Sequence, residues 1–234
     1  MLCLIAAVIV PTYNEKENIA TLLKKITSTK VSGVKFNVIV VDDSSPDGTA
    51  AIARRFKNVI VISRPAKLGL GTAYVAGFKK AFSLGADAIF TMDADLSHDF
   101  GVAPAFIEKI REGNDLVIGS RYIKGGGTNW GASRKIISGG ANLLAGIILG
   151  VPAHDQTSGF RCYKASLLKS IHPELLKSSG YSFLEEMIYR CHKKGAKIAE
   201  VPIFFADRTQ GKSKLGKKEI YKFPFILLKL RFGH

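Results

Sequence analysis

Residues 88–98 read Ala88-Ile89-Phe90-Thr91-Met92-Asp93-Ala94-Asp95-Leu96-Ser97-His98. An apolar run drives straight into two carboxylates two residues apart. Residues i and i+2 of an extended segment fall on one side. Like charges placed this way repel each other unless a cation sits between them. On these residues alone two readings stay open: a solvated turn after a buried strand, or a divalent-metal site. Residues 87–92 are predicted to be that strand.

Upstream, residues 6–10 read as a first strand, ended by Pro11. Residues 15–27 show helical spacing through Ile19, Leu22, Leu23 and Ile26. A second strand is predicted over 37–41, and Asp47 stands where it can cap a helix over 49–56. A third strand (59–63) leads to a helix over 71–84, with Gly69 and Gly71 at its entrance. A helix over 103–112 and a fifth strand over 116–119 follow. Alternating β and α units with continuous apolar strands predict an α/β fold, a mainly parallel sheet with helices on both faces. Ligands of such sheets gather at the carboxyl ends of the strands. Those ends read PTYNE (11–15), DDSSPDG (42–48), SRPAKLG (63–69), DADLSH (93–98) and GSRY (119–122). Every one is polar, which says more than any single motif.

The second half differs in texture. Gly125-Gly126-Gly127 reads as a flexible junction. Residues 130–149 read as a helix with a basic start at Arg134 and Lys135, and 154–163 as loop or strand. A helix over 180–194 and a strand over 198–205 precede a cationic stretch, 208–222, and a last apolar segment, 223–232.

The 234 residues suit one α/β domain, or one domain plus an appendage. Hydrophobic residues make up 47% and charged ones 23%, enough for a sizeable core. Lys and Arg number 34 against 19 Asp and Glu, a net +15. That surplus points to a polyanionic partner: nucleic acid, an anionic membrane surface or phosphorylated substrates. Cys3, Cys162 and Cys191 form no CxxC pair, which fits a reducing compartment better than a disulfide scaffold or zinc site. The apolar start has no basic flank and meets Pro11 early, so it reads as a buried strand rather than a signal peptide. No stretch reaches the ~18 uninterrupted apolar residues of a spanning helix.

At the strand ends, Asp42 and Asp43 can accept hydrogen bonds from a base or ribose, or serve a helix cap. Asp93 and Asp95 can share Mg²⁺ or Mn²⁺, hard cations that prefer oxygen ligands and complete their shell with substrate phosphates. Ser97 can add a hydroxyl, while His98 reads as a supporting or solvated group. Such a metal would stabilise charge on a leaving nucleoside diphosphate. There is no Gly-x-x-x-x-Gly-Lys-Ser/Thr, no GxGxxG after the first strand and no nucleophile elbow, so P-loop, dinucleotide and serine-hydrolase chemistries are not supported. Gly69-x-Gly71 reads as a tight turn. Arg121, Arg134 and Arg208 each follow an apolar element, and guanidinium suits phosphate. Residues 208–214, RTQGKSK, look like a mobile phosphate clamp.

Together PTYNE, VVDDSSPDGT (40–49), GLGTAYVAGF (69–78), MDADLSH (92–98), GSRY, TSGFR (157–161) and the RxxGKSKL loop (208–215) resemble the polyprenol-phosphate (dolichol-phosphate) mannose synthases. These are inverting family-2 glycosyltransferases of GT-A type. The resemblance runs from about residue 6 to 215. Ser97 stands where the family often has Gln, and Phe183-Leu184-Glu185-Glu186-Met187 departs near its first Glu.

The resemblance implies a Rossmann-like GT-A catalytic domain over 1–215 and a basic, apolar amphipathic segment over 216–234 that meets a membrane. It implies mannose transfer from GDP-mannose to a polyprenyl or dolichyl monophosphate, with Mg²⁺ or Mn²⁺, peripherally at the cytoplasmic face of a membrane. Pro11, Tyr13, Glu15 and Asp42 would line the nucleotide pocket. Asp93, Asp95 and Ser97 would hold the metal, the two aspartates also the sugar diphosphate. Arg121, Arg134 and Ser138 would hold the acceptor phosphate; Arg134 and Ser138, at i and i+4, share one helix face. Arg208 and Lys214 would close over the donor, and Asp95, Arg121 and Arg208 would be catalytic. The apolar residues of 136–149 and 223–232 either lie on a bilayer or pack against the domain. The same acceptor chemistry with another nucleotide sugar, such as UDP-glucose, is an alternative. A basic nucleic-acid-binding module is another, but no such signature occurs, and without a metal the acidic strand ends would repel phosphate.

Overall fold

The computed structural model describes residues 3–176, 182–207 and 217–233. Strand β1 (Leu4–Thr12) is apolar on both faces because both are covered. Ala7 and Ile9 face one buried cluster, and Ala6, Val8 and Val10 the other. The second face is covered by α1 (Lys16–Ser28) through Ile19, Leu22, Leu23 and Ile26, and by α4 (Ala103–Arg111) through Phe106, Ile107 and Ile110. The first is covered by α3 (Leu70–Ser83), α5 (Ala132–Leu149), α6 (Ala165–Ile171) and α7 (Ser182–Lys193). This is the three-layer arrangement that alternating apolar strands and amphipathic helices require.

β1 pairs in parallel with β2 (Val34–Asp42) on one side and β4 (Ala88–Thr91) on the other. β3 (Val59–Ser63) continues the sheet beyond β2, while α2 (Thr49–Ala53) links the two. Beyond β4 lie β7 (Arg161–Lys164), β5 (Leu116–Ser120) and β8 (Ile198–Pro202), giving the order β3-β2-β1-β4-β7-β5-β8. Only β7 runs against the others, pairing antiparallel with β4 and with β5. Its entry therefore stands on the same sheet edge as the exits of its neighbours. A two-stranded pair, β6 (Gly127–Thr128) with β9 (Phe204–Phe205), stands beside it.

Four local expectations change. β1 does not stop at Pro11 but runs on to Thr12. Ile9 O accepts from Met92 N, so Ile9 and Pro11 turn their backbone polar groups towards β4. The β4 ladder has already ended at Ile9, so the missing proline N–H costs no bond there. The triple glycine is no loose junction: Gly127 N donates to Ile203 O, and a Cβ on Gly126 would stand 2.5 Å from Ser120 O. Trp130 precedes α5 rather than opening it. Residues 165–171, to which the sequence reading assigned no element, are helical.

The last helix, α8 (Lys217–Phe232), splits its apolar residues. Leu227 is buried in the cluster that holds Ala145 and Leu149 of α5, with Phe223 and Leu230 packed beside it. Phe225, Leu228 and Phe232 are exposed, as are Ile136, Ile137, Leu143 and Ile147 of α5. Among the described residues no helix is long and apolar enough to cross a membrane.

Gly77 is where α3 and β1 approach most closely, since a Cβ there would sit 2.4 Å from Ile9 Cγ2. Gly77→Val forces the helix off the sheet, and urea unfolding is expected to show a loss of about 1–3 kcal/mol.

Candidate active site

The exits of β1 and β2 are stitched together by short polar side chains. Thr12 Oγ1 donates to Asp42 Oδ1 at 2.9 Å, and Ser45 gives Asp42 both its backbone N (2.9 Å) and its hydroxyl (2.6 Å). Asn14, with φ 56°, donates its N to Ser45 Oγ. Glu15 N donates to Thr49 Oγ1, while Glu15 Oε2 accepts from Asn18. Asp47 accepts from Thr49 N at the start of α2 and from Lys16 N. Burial pushes the Asp47 carboxyl up, but the Thr49 and Lys16 hydrogen bonds outweigh it and hold it below its usual range.

Asp43 serves the turn instead. It is ion-paired with Arg64 and accepts from the backbone N of Leu68 and Gly69. The Gly69 turn, at φ 95°, is pinned from below in this way. Its neighbour Lys67 reaches 4.3 Å over the Tyr13 ring. Lys67 was absent from the sequence expectations, and a cation beside a half-buried aromatic at this edge is the signal that marks it.

At the exit of β4 the chain leaves the extended conformation after Thr91 and turns at Leu96 (φ 64°). The two aspartates consequently sit in different surroundings. The Asp93 side chain is 36% exposed, whereas Asp95 is buried and accepts from Ser97 N at 3.1 Å. Both charges are felt by the Tyr74 hydroxyl beneath them. Burial pushes its pKa well above the usual value, and Asp93 and Asp95 add to the rise. Ser97 Oγ is buried without a hydrogen-bond partner among the described residues. His98, walled by Phe160 and Phe205, holds Nε2 3.7 Å from Asp93 Oδ2.

No three His, Cys, Asp or Glu side chains among the described residues form a metal cluster. The donors offered are two carboxylates and a hydroxyl, all oxygen. That set fits Mg²⁺ or Mn²⁺ held by one or two carboxylates and completed by substrate phosphates and water, not a closed protein cage.

The exit of β5 is cationic and aromatic. Arg121 gives Asp155 Nε and Nη2, each at 2.7 Å, plus its backbone N, and Nη2 also reaches Thr157 Oγ1. Nη1 makes no hydrogen bond among the described residues. Burial works against the guanidinium's charge, but Asp155, and more weakly Asp93, hold its pKa above the ordinary value. The Tyr122, Trp130 and Phe205 rings surround it at 5.2–5.5 Å. Arg134 lies 4.2 Å from the centre of the Trp130 ring and pairs with Asp207 at 2.7 Å. Tyr122 donates its hydroxyl to Ser138 Oγ. Arg121, Arg134 and Ser138 are thus brought to one corner, adjoining Asp93. Arg208 and Lys214, with the rest of 208–216, lie outside the described residues.

Beneath this edge lies a guanidinium that is fully buried. Arg161 donates to the carbonyls of Ser158 (2.8 Å), Gln156 (2.6 Å) and Leu184 (2.8 Å), and to the Tyr163 hydroxyl. Burial pushes the nearby Glu185 carboxyl up to about 7, against the opposing pull of its own backbone N–H and of Arg161. The sequence quoted both residues inside motifs without giving either a role.

Residues 7–171 match glycosyl transferase family 2. The chain belongs to that family. It is 41% identical over 212 residues to an undecaprenyl-phosphate mannosyltransferase of Micrococcus luteus, covering 88% of this chain and 86% of that one. It is 37% identical over 224 residues to a polyprenol monophosphomannose synthase of Mycolicibacterium smegmatis, covering 93% and 83%. Among solved structures, glucosyl-3-phosphoglycerate synthase from Mycobacterium tuberculosis, in complex with Mn²⁺, UDP-glucose and phosphoglyceric acid, superposes with a TM-score of 0.70 at 21% identity, covering 97% of this chain and 79% of that one. That likeness shows that the two chains share a fold. The chain is a glycosyltransferase.

Glu185 sets a pH dependence of stability. Its folded pKa stands above the usual 4.5, so the folded state binds the proton more tightly than the unfolded chain. The resulting stabilisation is complete below about pH 4.5 and is lost as pH rises through 7, roughly 3 kcal/mol in all. Glu185→Gln is expected to flatten this slope in urea unfolding between pH 5 and 8. A slope unchanged by the substitution would remove Glu185 as its source.

Proposed function

We propose that this glycosyltransferase moves mannose from GDP-mannose to a polyprenyl monophosphate, with inversion at the anomeric carbon. The observation that carries the reading is the junction of two unlike corners on one sheet edge. An acidic one, Asp93 and Asp95, adjoins a cationic and aromatic one, Arg121, Arg134 and Ser138. The two mannosyl-transferring relatives, similar over most of their length, support the donor sugar and the lipid acceptor.

Pro11, Tyr13, Glu15 and Asp42 line the nucleotide side. Asp42 is already oriented by Thr12 and Ser45, so its carboxylate is held still for a ribose or base. Asp93, Asp95 and Ser97 would hold Mg²⁺ or Mn²⁺, which when bound neutralises charge developing on the leaving nucleoside diphosphate. Arg134, Ser138 and the remaining Nη1 of Arg121 take the acceptor phosphate. A phosphate monoester is anionic at neutral pH, so its oxygen attacks without a strong general base. What the chain supplies is orientation and neutralisation of two approaching anions. Arg208 and Lys214 close over the donor in this reading, and residues 1–215 form the catalytic unit.

The acceptor's lipid places the reaction at a membrane, peripherally and on the cytoplasmic face. The exposed Ile136, Ile137, Leu143 and Ile147 of α5 and Phe225, Leu228 and Phe232 of α8 give this surface an apolar character. Lys135, Lys222, Lys229 and Arg231 flank them with positive charge, the combination that binds an anionic interface.

Transfer of labelled sugar from GDP-mannose, with UDP-glucose in parallel, to a short polyprenyl phosphate tests the reaction. Mannolipid is expected with Mg²⁺ or Mn²⁺ and none with EDTA, and Asp95→Ala should lower kcat by at least about 100-fold. Glucolipid alone would replace the donor. In sedimentation with anionic vesicles, Ile136→Glu combined with Ile147→Glu is expected to release the protein. Binding that persists would move the membrane contact elsewhere.

A further inference from the structure

Below Ser138 on α5, one turn further along the same face, stands Asn142, buried to 6% exposure. All four of its hydrogen-bonding positions are used. Oδ1 accepts from the backbone N of Gln156 (2.8 Å) and of Thr157 (3.2 Å). Nδ2 donates to Ser138 O (3.0 Å) and to Thr157 Oγ1 (3.1 Å). Backbone N–H groups can only donate, so chemistry decides which end of the amide faces the loop. The Thr157 hydroxyl also accepts from Arg121 Nη2, and Arg121 is held by Asp155. Tyr122, next to Arg121, bonds Ser138 and closes the circuit.

We propose that Asn142 is a positioning residue that sets the phosphate-binding groups of α5, Arg134 and Ser138, against Arg121 at the exit of β5. The proposal rests on the acceptor reading of those three residues. The acceptor groups sit on two elements, the exit of β5 and helix α5, which the Tyr122–Ser138 hydrogen bond joins, while no described hydrogen bond links Arg134 to Arg121. Their spacing is set through the loop between α5 and β7, and Asn142 is the side chain that grips that loop from the helix. Only an amide of this length gives two acceptor contacts and two donor contacts here. Asp lacks the donors and adds a negative charge near Asp155; Leu strands two buried N–H groups.

Glu200 supports the loop from the opposite side. It accepts from the backbone N of His154 (3.0 Å) and of Asp155 (3.0 Å). The loop is therefore clamped between β8 and α5, and Asn142 is the half of the clamp carried by the helix of Arg134. Held this way, the acceptor groups are preorganised rather than gathered by the substrate.

The test is steady-state kinetics with both substrates varied, on Asn142→Asp and on Thr157→Val, which cuts the same tie from the loop side. The KM for polyprenyl phosphate is expected to rise about 10- to 100-fold, with the KM for the nucleotide sugar unchanged within about twofold. Thr157→Ser, which keeps the hydroxyl, is expected to restore the wild-type value. In an Arg134→Ala/Ser138→Ala background, Asn142→Asp should add less than about twofold, because the groups it positions are gone. Thermal melts report folding for each variant. An equal rise in both KM values, a lower Tm with unchanged acceptor KM, or a full additional loss in the double-variant background would each overturn the proposal. If Arg134→Ala and Ser138→Ala themselves leave the acceptor KM unchanged, the acceptor reading falls as well.

Discussion

The buried guanidinium of Arg161 is the constraint from which the rest of the site hangs. It stands at the first position of β7, facing Thr91 of β4 across one ladder and Ile118 of β5 across the other. A buried charge without partners costs several kcal/mol, so its donors must be spent. They are spent on the carbonyls of Gln156, Ser158 and Leu184. Those bonds fold the entry loop of β7 back beneath the sheet edge and tie it to α7. Thr91 Oγ1 adds a bond to Gly159 O. The strand that leads to Asp93 and the strand that leads to Arg121 are therefore held apart by the width of one antiparallel strand, β7, and the loop between α5 and β7 lies across both exits.

This explains which parts of the fold were legible in the sequence. The first five strands announce themselves by continuous apolar runs broken at polar ends, and the helices between them by their spacing. Both signals are local. The four residues of β7 carry no such signal, because Arg161-Cys162-Tyr163-Lys164 holds a buried charge and a buried phenol that only long-range partners make tolerable. Its direction is likewise invisible, since nothing local distinguishes an antiparallel insertion from one more parallel strand. Pro11 was misread because proline ends a strand only where its N–H is wanted, and here the neighbouring ladder has already stopped.

The site shows the same division. Acidic and basic residues at strand ends could be located by position alone, and the structure brings Asp93, Arg121, Arg134 and Ser138 to one region of the edge. What position could not disclose is who holds whom. Arg121 and Asp155 are 34 residues apart, Asn142 and Thr157 15 apart, and Arg134 and Asp207 73 apart. Each pair looks like two unrelated polar residues until the sheet is assembled. Lys67 over Tyr13 belongs to the same class, a contact between the exits of β1 and β3, which β2 separates in the sheet and 54 residues separate in sequence.

The charges at the junction argue for what must join them. Arg121 is paired with Asp155 and Arg134 with Asp207, so each of these guanidinium groups already has a carboxylate beside it where the cationic corner meets Asp93 and Asp95. In the proposed reaction a second phosphate must also come within bonding distance of the first, and two unit charges 4 Å apart repel by about 4 kcal/mol at an effective dielectric near 20. In that reading Mg²⁺ or Mn²⁺ held by Asp93, Asp95 and Ser97 would offset part of that repulsion. Every described arginine at the edge can then act by placement rather than by net charge. On that account the guanidinium of Arg121 is held by Asp155 for geometry, since a free cation would attract phosphate without fixing where its oxygen points, and an in-line attack depends on direction as much as on attraction.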